Sequence, residues 1–255
     1  MQARIVASAR GAHWLLEGWT LFRAAPLGWL MLVFAYLVLT QFLALIPVLG
    51  SALAAVLIPG LTLGFMAVAR AASRGGAVDG RLLFEAFRHD ARRQVVLGFI
   101  YMACAFAVVS LGFVVDGDGA LRGVVAGERK PDELTGWELF GPIAAAALAY
   151  APVMMMFWFA PALCAWHSIG VAKALFFSFF ACLLNWRAFV AYGAVAAGAM
   201  LAVNALLTAA LTLAGGVSRQ QLFSFVMLSL LLLMPPLFAS FYASYRDVFG
   251  YHPAE

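Results

Sequence analysis

Residues 24–69 read AAPLGWLMLVFAYLVLTQFLALIPVLGSALAAVLIPGLTLGFMAVA, 46 positions without an Asp, Glu, Lys, Arg or His. A helix rises about 1.5 Å per residue and needs about 20 apolar residues to cross a hydrocarbon core of about 30 Å, so this run is long enough to cross a membrane twice. Pro47, Gly50 and Ser51 are the only punctuation near its middle. They predict a hairpin with spans at about 27–46 and 49–70 and a very short connection. Four more runs without charge or histidine follow, at 94–115, 139–166, 188–218 and 220–245. They place further spans at about 94–115, 141–165, 188–214 and 221–244, six in all. Composition agrees, since 65% of the 255 residues are apolar and only 11% are charged, against roughly 25% charge in soluble domains. An ordinary soluble protein is excluded. The fold class is an all-α polytopic membrane protein, residues 1–255 forming one integral membrane domain.

The charges sit between the spans and predict the orientation. With the N-terminus inside, the inner segments hold Arg4, Arg10, Arg23, Arg70, Arg74, Arg81, Arg88, Arg92, Arg93, Lys173, Arg187 and Arg246, and the outer segments only Arg122, Arg129, Lys130 and Arg219. Twelve against four favours both termini in the cytoplasm. The loop 116–138 carries six acids (Asp116, Asp118, Glu128, Asp132, Glu133, Glu138) against three bases, and is expected to face the periplasm of a bacterial inner membrane. The net charge of +4 is accounted for by this topology signal, so nucleic acid is not an expected partner. Cys104, Cys164 and Cys182 lie in or beside apolar runs and imply no disulfide framework. Residues 1–26 have no unbroken apolar core, so no cleavable signal peptide is expected.

Three inner segments read as helices along the membrane surface, the first within about 4–24. Its residues 10–23 place Trp14, Leu15, Gly18, Leu21 and Phe22 on one face and Arg10, His13, Glu17 and Thr20 on the other. In residues 80–93, Arg81, Glu85, Arg88 and Arg92 form a polar stripe at i, i+4, i+7, i+11, with Arg93 beside it. Leu83, Ala86 and Phe87 lie opposite, and Asp79 is placed to cap the start. Arg81, Arg88, Arg92 and Arg93 are the candidate basic contacts with anionic headgroups. The third, residues 171–186, is apolar nearly all round, yet Lys173 and Arg187 stand too close together for a comfortable crossing; it is read as interfacial or re-entrant.

These segments suggest three repeats, each a surface helix with aromatics at i and i+3 followed by a transmembrane hairpin whose second member carries Pro-x-Leu. The aromatic pairs are Trp19 and Phe22, Phe84 and Phe87, Phe176 and Phe179. The triplets begin at Pro59, Pro161 and Pro235. Trp29 and Trp186 follow the first aromatic by ten residues, and Gln94 takes that place in the middle unit. In the same residues the chain resembles uncharacterised bacterial six-span inner-membrane families, similar in layout to the integral-membrane domain of some glycerophosphodiester phosphodiesterases. The resemblance is carried by Gly18-Trp19-Thr20-Leu21-Phe22 with Pro26 and Trp29, by Phe159-Ala160-Pro161-Ala162-Leu163, and by Lys173-Ala174-Leu175-Phe176 with Asn185-Trp186-Arg187. It implies an inner-membrane location and the surface-helix-plus-hairpin layout, and carries over no functional residue.

No ionisable Asp, Glu, Lys, Arg or His falls at mid-depth in any expected span, which argues against a proton-coupled pump, a voltage sensor or an aspartate intramembrane protease. The four histidines, His13, His89, His167 and His252, are scattered, and no metal or other cofactor is expected. His167 reads as an anchor at the end of the fourth span. Asp116-Gly117-Asp118-Gly119 starts like a calcium loop, but Gly127 stands where the bidentate Glu would be, so a flexible turn is expected. Asn204, Thr208 and Thr212 form the one polar stripe within a span, either lining a polar path or tying helices together, and packing is the preferred reading. Gly60 with Gly64 and Gly193 with Ala197 read as close helix approaches, and Met154–Met156 with Phe157 and Trp158 as interior filling. The expected function is that of a non-enzymatic inner-membrane protein acting in envelope or lipid organisation. Its expected partners are membrane lipids and either another membrane protein or a second copy of the chain. A small-solute transporter is the alternative, and an interfacial lipid enzyme a weaker one.

Overall fold

Proline fixes where several of these helices start and bend, because it removes a backbone donor and bars the helical conformation from the residue before it. The computed structural model of the chain describes residues 3–47, 49–117, 119–130, 136–213, 216 and 218–250. Among them are ten α-helices and no strand. They are α1 (Arg10–Ala24), α2 (Pro26–Ala44), α3 (Leu49–Ser73), α4 (Glu85–Val115), α5 (Ala120–Val125), α6 (Gly136–Phe157), α7 (Ala160–His167), α8 (Val171–Leu184), α9 (Trp186–Leu213) and α10 (Arg219–Phe249). A 3₁₀ turn, Gly80–Phe84, leads into α4. Met1, Asp118, residues 131–135 with Asp132 and Glu133, position 214 at the end of the expected fifth span, and His252 lie outside the described residues.

Six helical stretches are long and apolar enough to cross a membrane: Pro26–Ala44, Leu49–Ser73, Asp90–Val115, Phe140–His167, Trp186–Ala210 and Ser224–Phe249. They are the six expected spans, with ends moved by a few residues. Arg4 N donates to Val248 O at 2.7 Å, so the segment before α1 meets the end of α10 at one face of the bundle, called here the terminal face. The opposite end, with the turns near 45, 116 and 216, is the loop face.

Spans one, three and five are each entered from a short helix through a break, and a different residue makes each break. Pro26 forces Ala25 out of the helix (φ −148°, ψ 62°) and then opens α2. Asp90 (φ −155°, ψ 73°) interrupts α4, and its side chain accepts from Arg93 N at 3.1 Å, capping the long part of the span. Asn185 separates α8 from α9. Its amide donates to Arg4 O (2.9 Å) and accepts from Val6 N (2.8 Å), pinning the extended N-terminal segment.

The short elements pack in a cyclic order. The turn before α4 lies on α3, α8 lies on α6 and α7, and α1 lies on α10, so each unit leans on the proline-bearing span of the one before it and the first leans on the last. Glycines permit the approach: a Cβ on Gly18 would run into Pro236 O, and one on Gly64 into Leu83 O. α3 is the most enclosed of the six spans. The buried side chains, among them Trp14, Trp29, Phe65, Leu163 and Tyr245, fill the half of the bundle toward the terminal face. Toward the loop face side-chain burial falls away, and Phe42, Phe106, Leu148, Leu206 and Leu213 are exposed, a surface suited to lipid.

Three expectations need correction here. α1 buries the predicted face, but against α9 and α10 rather than a bare membrane surface. Residues 80–93 do not form one surface helix; they are a 3₁₀ turn, one helical turn and the start of a span. Gly193 makes no close approach, since a Cβ there would meet nothing within 4 Å. The tryptophans at matching repeat positions differ, Trp29 being fully buried and Trp186 exposed.

Candidate functional site

The fourth span is broken at Trp158 and Phe159, between α6 and α7. Ser178 of α8 enters the break. Its hydroxyl donates to Met155 O (2.7 Å) and accepts from Phe159 N (2.9 Å), taking the place of the helical bond those two groups would have shared. The insertion keeps both backbone groups paired at a depth where each unpaired one costs several kcal/mol. It also turns Trp158 inward, where Nε1 donates to Ser244 Oγ (3.1 Å) and the ring lies 4.7 Å from that of Phe241.

α3 at Pro59, the break of the fourth span and α10 meet around one cavity of about 300 Å³. α3 supplies Pro59 and Thr62, α6 and the break supply Tyr150, Phe157 and Trp158, and α10 supplies Phe238 and Phe241. Tyr36 from α2 and Tyr101 from α4 close the sides. The walls are held ring against ring. Phe65 stacks on Phe238 at 4.0 Å, Tyr36 meets both edge-on at 5.5 and 5.7 Å, and Tyr101 meets Phe157 edge-on at 5.1 Å. The Tyr101 and Tyr150 hydroxyls lie 2.7 Å apart. Thr62 turns its hydroxyl back to Ile58 O (2.9 Å), and the Tyr36 hydroxyl has no partner among the described residues. No charged side chain lines the cavity.

Two satisfied clusters of charge lie at the terminal face. In one, Asp247 accepts from Arg10 Nε (2.7 Å) and Trp14 Nε1 (2.8 Å), while Glu17 accepts from Arg10 (2.9 Å) and Arg246 (2.6 Å). Burial works against the Arg10 charge, but Asp247 and Glu17 outweigh it and hold the guanidinium above its usual value. In the other, Glu85 accepts from Arg70 (2.7 Å) and Trp166 Nε1 (3.2 Å), with the Arg70 guanidinium 4.3 Å over the Trp166 ring. Glu85 is therefore buried inside the bundle and does not belong to the exposed stripe.

Arg81, Arg88 and Arg92 are exposed at this face, and Arg93 is half-exposed in an ion pair with Asp90 (3.1 Å). Asn204 donates to Ser229 Oγ of α10 (2.9 Å) and to Met200 O (2.9 Å), a contact between helices; Thr212 donates back to Thr208 O (2.8 Å) and is exposed. None of the three lines the aromatic cavity. His167 hydrogen-bonds Tyr245. At Asp116 an ordered cap replaces the expected flexible turn, its carboxylate accepting from Leu121 N (3.0 Å) and Arg122 N (2.8 Å) at the start of α5. Among the described residues no three His, Cys, Asp or Glu side chains gather as metal ligands would.

Neither the charges nor the Asn/Thr stripe of the sequence marks this cavity. Its readable signal was three tyrosines at the middle of their spans, away from the membrane interfaces where that residue ordinarily gathers.

A probable inner membrane protein of Burkholderia thailandensis is 39% identical to this chain over 259 aligned positions, covering 98% of this chain and 94% of that protein. No protein-family profile matches the sequence, and no solved structure matches the chain.

Proposed function

We propose, on the premise that this chain belongs to the same family as that Burkholderia thailandensis inner-membrane protein, that it is a non-enzymatic protein of the inner membrane which holds a lipophilic molecule and serves lipid or envelope organisation. The observation that carries this reading is the aromatic cavity, uncharged, walled by α2, α3, α4, α6 and α10 and open at one side, where a molecule dissolved in the bilayer can enter. Its hydroxyls belong to tyrosine and threonine, with no acid–base pair or activated nucleophile beside them. The clusters at the terminal face tie α1 to α10 and α3 to α4 through bonds already satisfied inside the protein. Both termini are assigned to the cytoplasm on the twelve-to-four distribution of basic residues. The exposed Arg81, Arg88 and Arg92 then face anionic headgroups.

The test is extraction of the protein with its native lipids into polymer-bounded discs, followed by mass spectrometry of what remains bound after exchange into fresh lipid. A retained lipophile at about one per chain supports the reading, and complete exchange of every lipid overturns it. A second reading, a small-solute pathway, is favoured by the broken fourth span beside the cavity, since discontinuous helices build transport sites. Uptake of solute into proteoliposomes would move it ahead.

A further inference from the structure

We propose that the aromatic cavity binds the ring of a lipid-soluble quinone, whose carbonyl oxygens accept hydrogen bonds from the spare phenolic O–H groups of Tyr36 and of the Tyr101–Tyr150 pair. This rests on the reading of the cavity as the seat of a lipophile and adds the chemistry of the occupant.

Donor arithmetic comes first. Tyr101 and Tyr150 carry one hydroxyl proton each, and the 2.7 Å bond between them uses one, whichever residue donates it. One proton is left over. The Tyr36 hydroxyl, on the wall of the same cavity, adds a second that has no acceptor among the described residues. Unspent donors in an apolar site select a ligand with acceptor oxygens. The missing charge narrows the class. A phosphate headgroup would enter at mid-depth with no cation to meet it, at high cost, whereas a quinone offers carbonyl oxygens and is neutral.

Size and wall chemistry point the same way. An apolar cavity of about 150 Å³ is enough for benzene, so about 300 Å³ accommodates a substituted ring. Phe157, Trp158, Phe238 and Phe241 present faces and edges at the angles that aromatic pairs favour. A tail has somewhere to go as well. One helical turn from Pro59 toward the loop face, a groove runs between α3 and α4 past Ala52, Ala55, Phe106 and Val109.

The experiment uses the full-length protein, delipidated and reconstituted in phosphatidylcholine nanodiscs, with melting temperature followed against added probe. The probes are a short-chain ubiquinone, an alkylbenzene of the same chain length and a diacylglycerol. A saturable stabilisation by the ubiquinone, absent with the alkylbenzene, is expected. Tyr101→Phe with Tyr150→Phe should weaken it about tenfold, the scale of the hydrogen bonding removed. Tyr36→Phe alone takes away a hydroxyl that holds nothing else in the protein, so it carries the test if the double variant does not fold. Equal stabilisation by the alkylbenzene, or ubiquinone affinity unchanged in the Tyr→Phe variants, overturns the proposal. Stabilisation by the diacylglycerol alone overturns the quinone and leaves the lipophile seat standing. No response to any probe, with nothing retained from the native membrane, overturns both.

Discussion

Two buried tryptophans show how much a single hydrogen bond decides at the residue scale. Trp14 and Trp29 are both fully buried; Trp14 Nε1 donates to the Asp247 carboxylate at 2.8 Å, and Trp29 Nε1 has no partner among the described residues. Replacing either by Phe leaves a similar gap, so the difference between the two variants isolates the bond. Trp14→Phe should destabilise the protein by about 1.5–3 kcal/mol more than Trp29→Phe, the range for a bond to a charged acceptor. Thermal or denaturant unfolding in a mild detergent measures this, and equal losses would remove the Trp14–Asp247 bond from the account of stability. The sequence marked both residues as apolar. The acceptor of the Trp14 indole came from α10, 233 positions further along.

At the scale of elements, glycine and proline separate positions that look alike in the sequence. Gly18 and Gly193 both sit in apolar helices, yet only Gly18 lies against another backbone, that of α10 at Pro236. Gly18→Ala should push α1 away and cost about 1–3 kcal/mol. Gly193→Ala should be neutral or stabilising by up to about 1 kcal/mol through helix propensity. Melting temperatures of the two single variants decide, and a loss at Gly193 matching that at Gly18 would contradict the packing described.

The turn into α5 makes a prediction with a sign. Burial raises the Asp116 carboxyl, but the bonds from Arg122 N and Leu121 N and the Arg122 charge together bring it below its ordinary 3.8. A lowered value in the folded state means that the cap stabilises the turn above about pH 3.8 and is lost as the pH falls through the folded value. Exchange protection at Leu121 and Arg122 should hold down to about pH 4 and fall below it. In Asp116→Asn that acid transition should be absent; an unchanged transition would assign it to another group.

Over the whole molecule, most of the basic residues and most of the buried side chains lie toward the terminal face and exposed apolar side chains toward the loop face. Reporter fusions after Gly75 and after Val171 should read cytoplasm, and fusions between Gly119 and Lys130 periplasm. A periplasmic reading after Val171 would overturn the orientation drawn from the basic residues. Changing Arg88, Arg92 and Arg93 together to Glu should disturb insertion of the third span. Unchanged topology and abundance in that variant would leave the exposed stripe without an electrostatic role.

The six spans, their turns and the gathering of charge between them were legible in the sequence because each depends on local composition: a run without charge must be helical and enclosed by lipid or protein wherever it lies. The Pro-x-Leu triplets and the small residues were legible too, but not what they face. That Ser178 completes the fourth span from a different helix, that Glu85 turns inward to Arg70 and Trp166, that Asn185 pins the N-terminal segment and that Tyr36, Tyr101 and Tyr150 line one cavity were settled only in the tertiary structure. The physical reason is that hydropathy is summed along the chain, whereas a hydrogen bond inside a membrane protein is made to whichever group the packing of distant helices brings within about 3 Å.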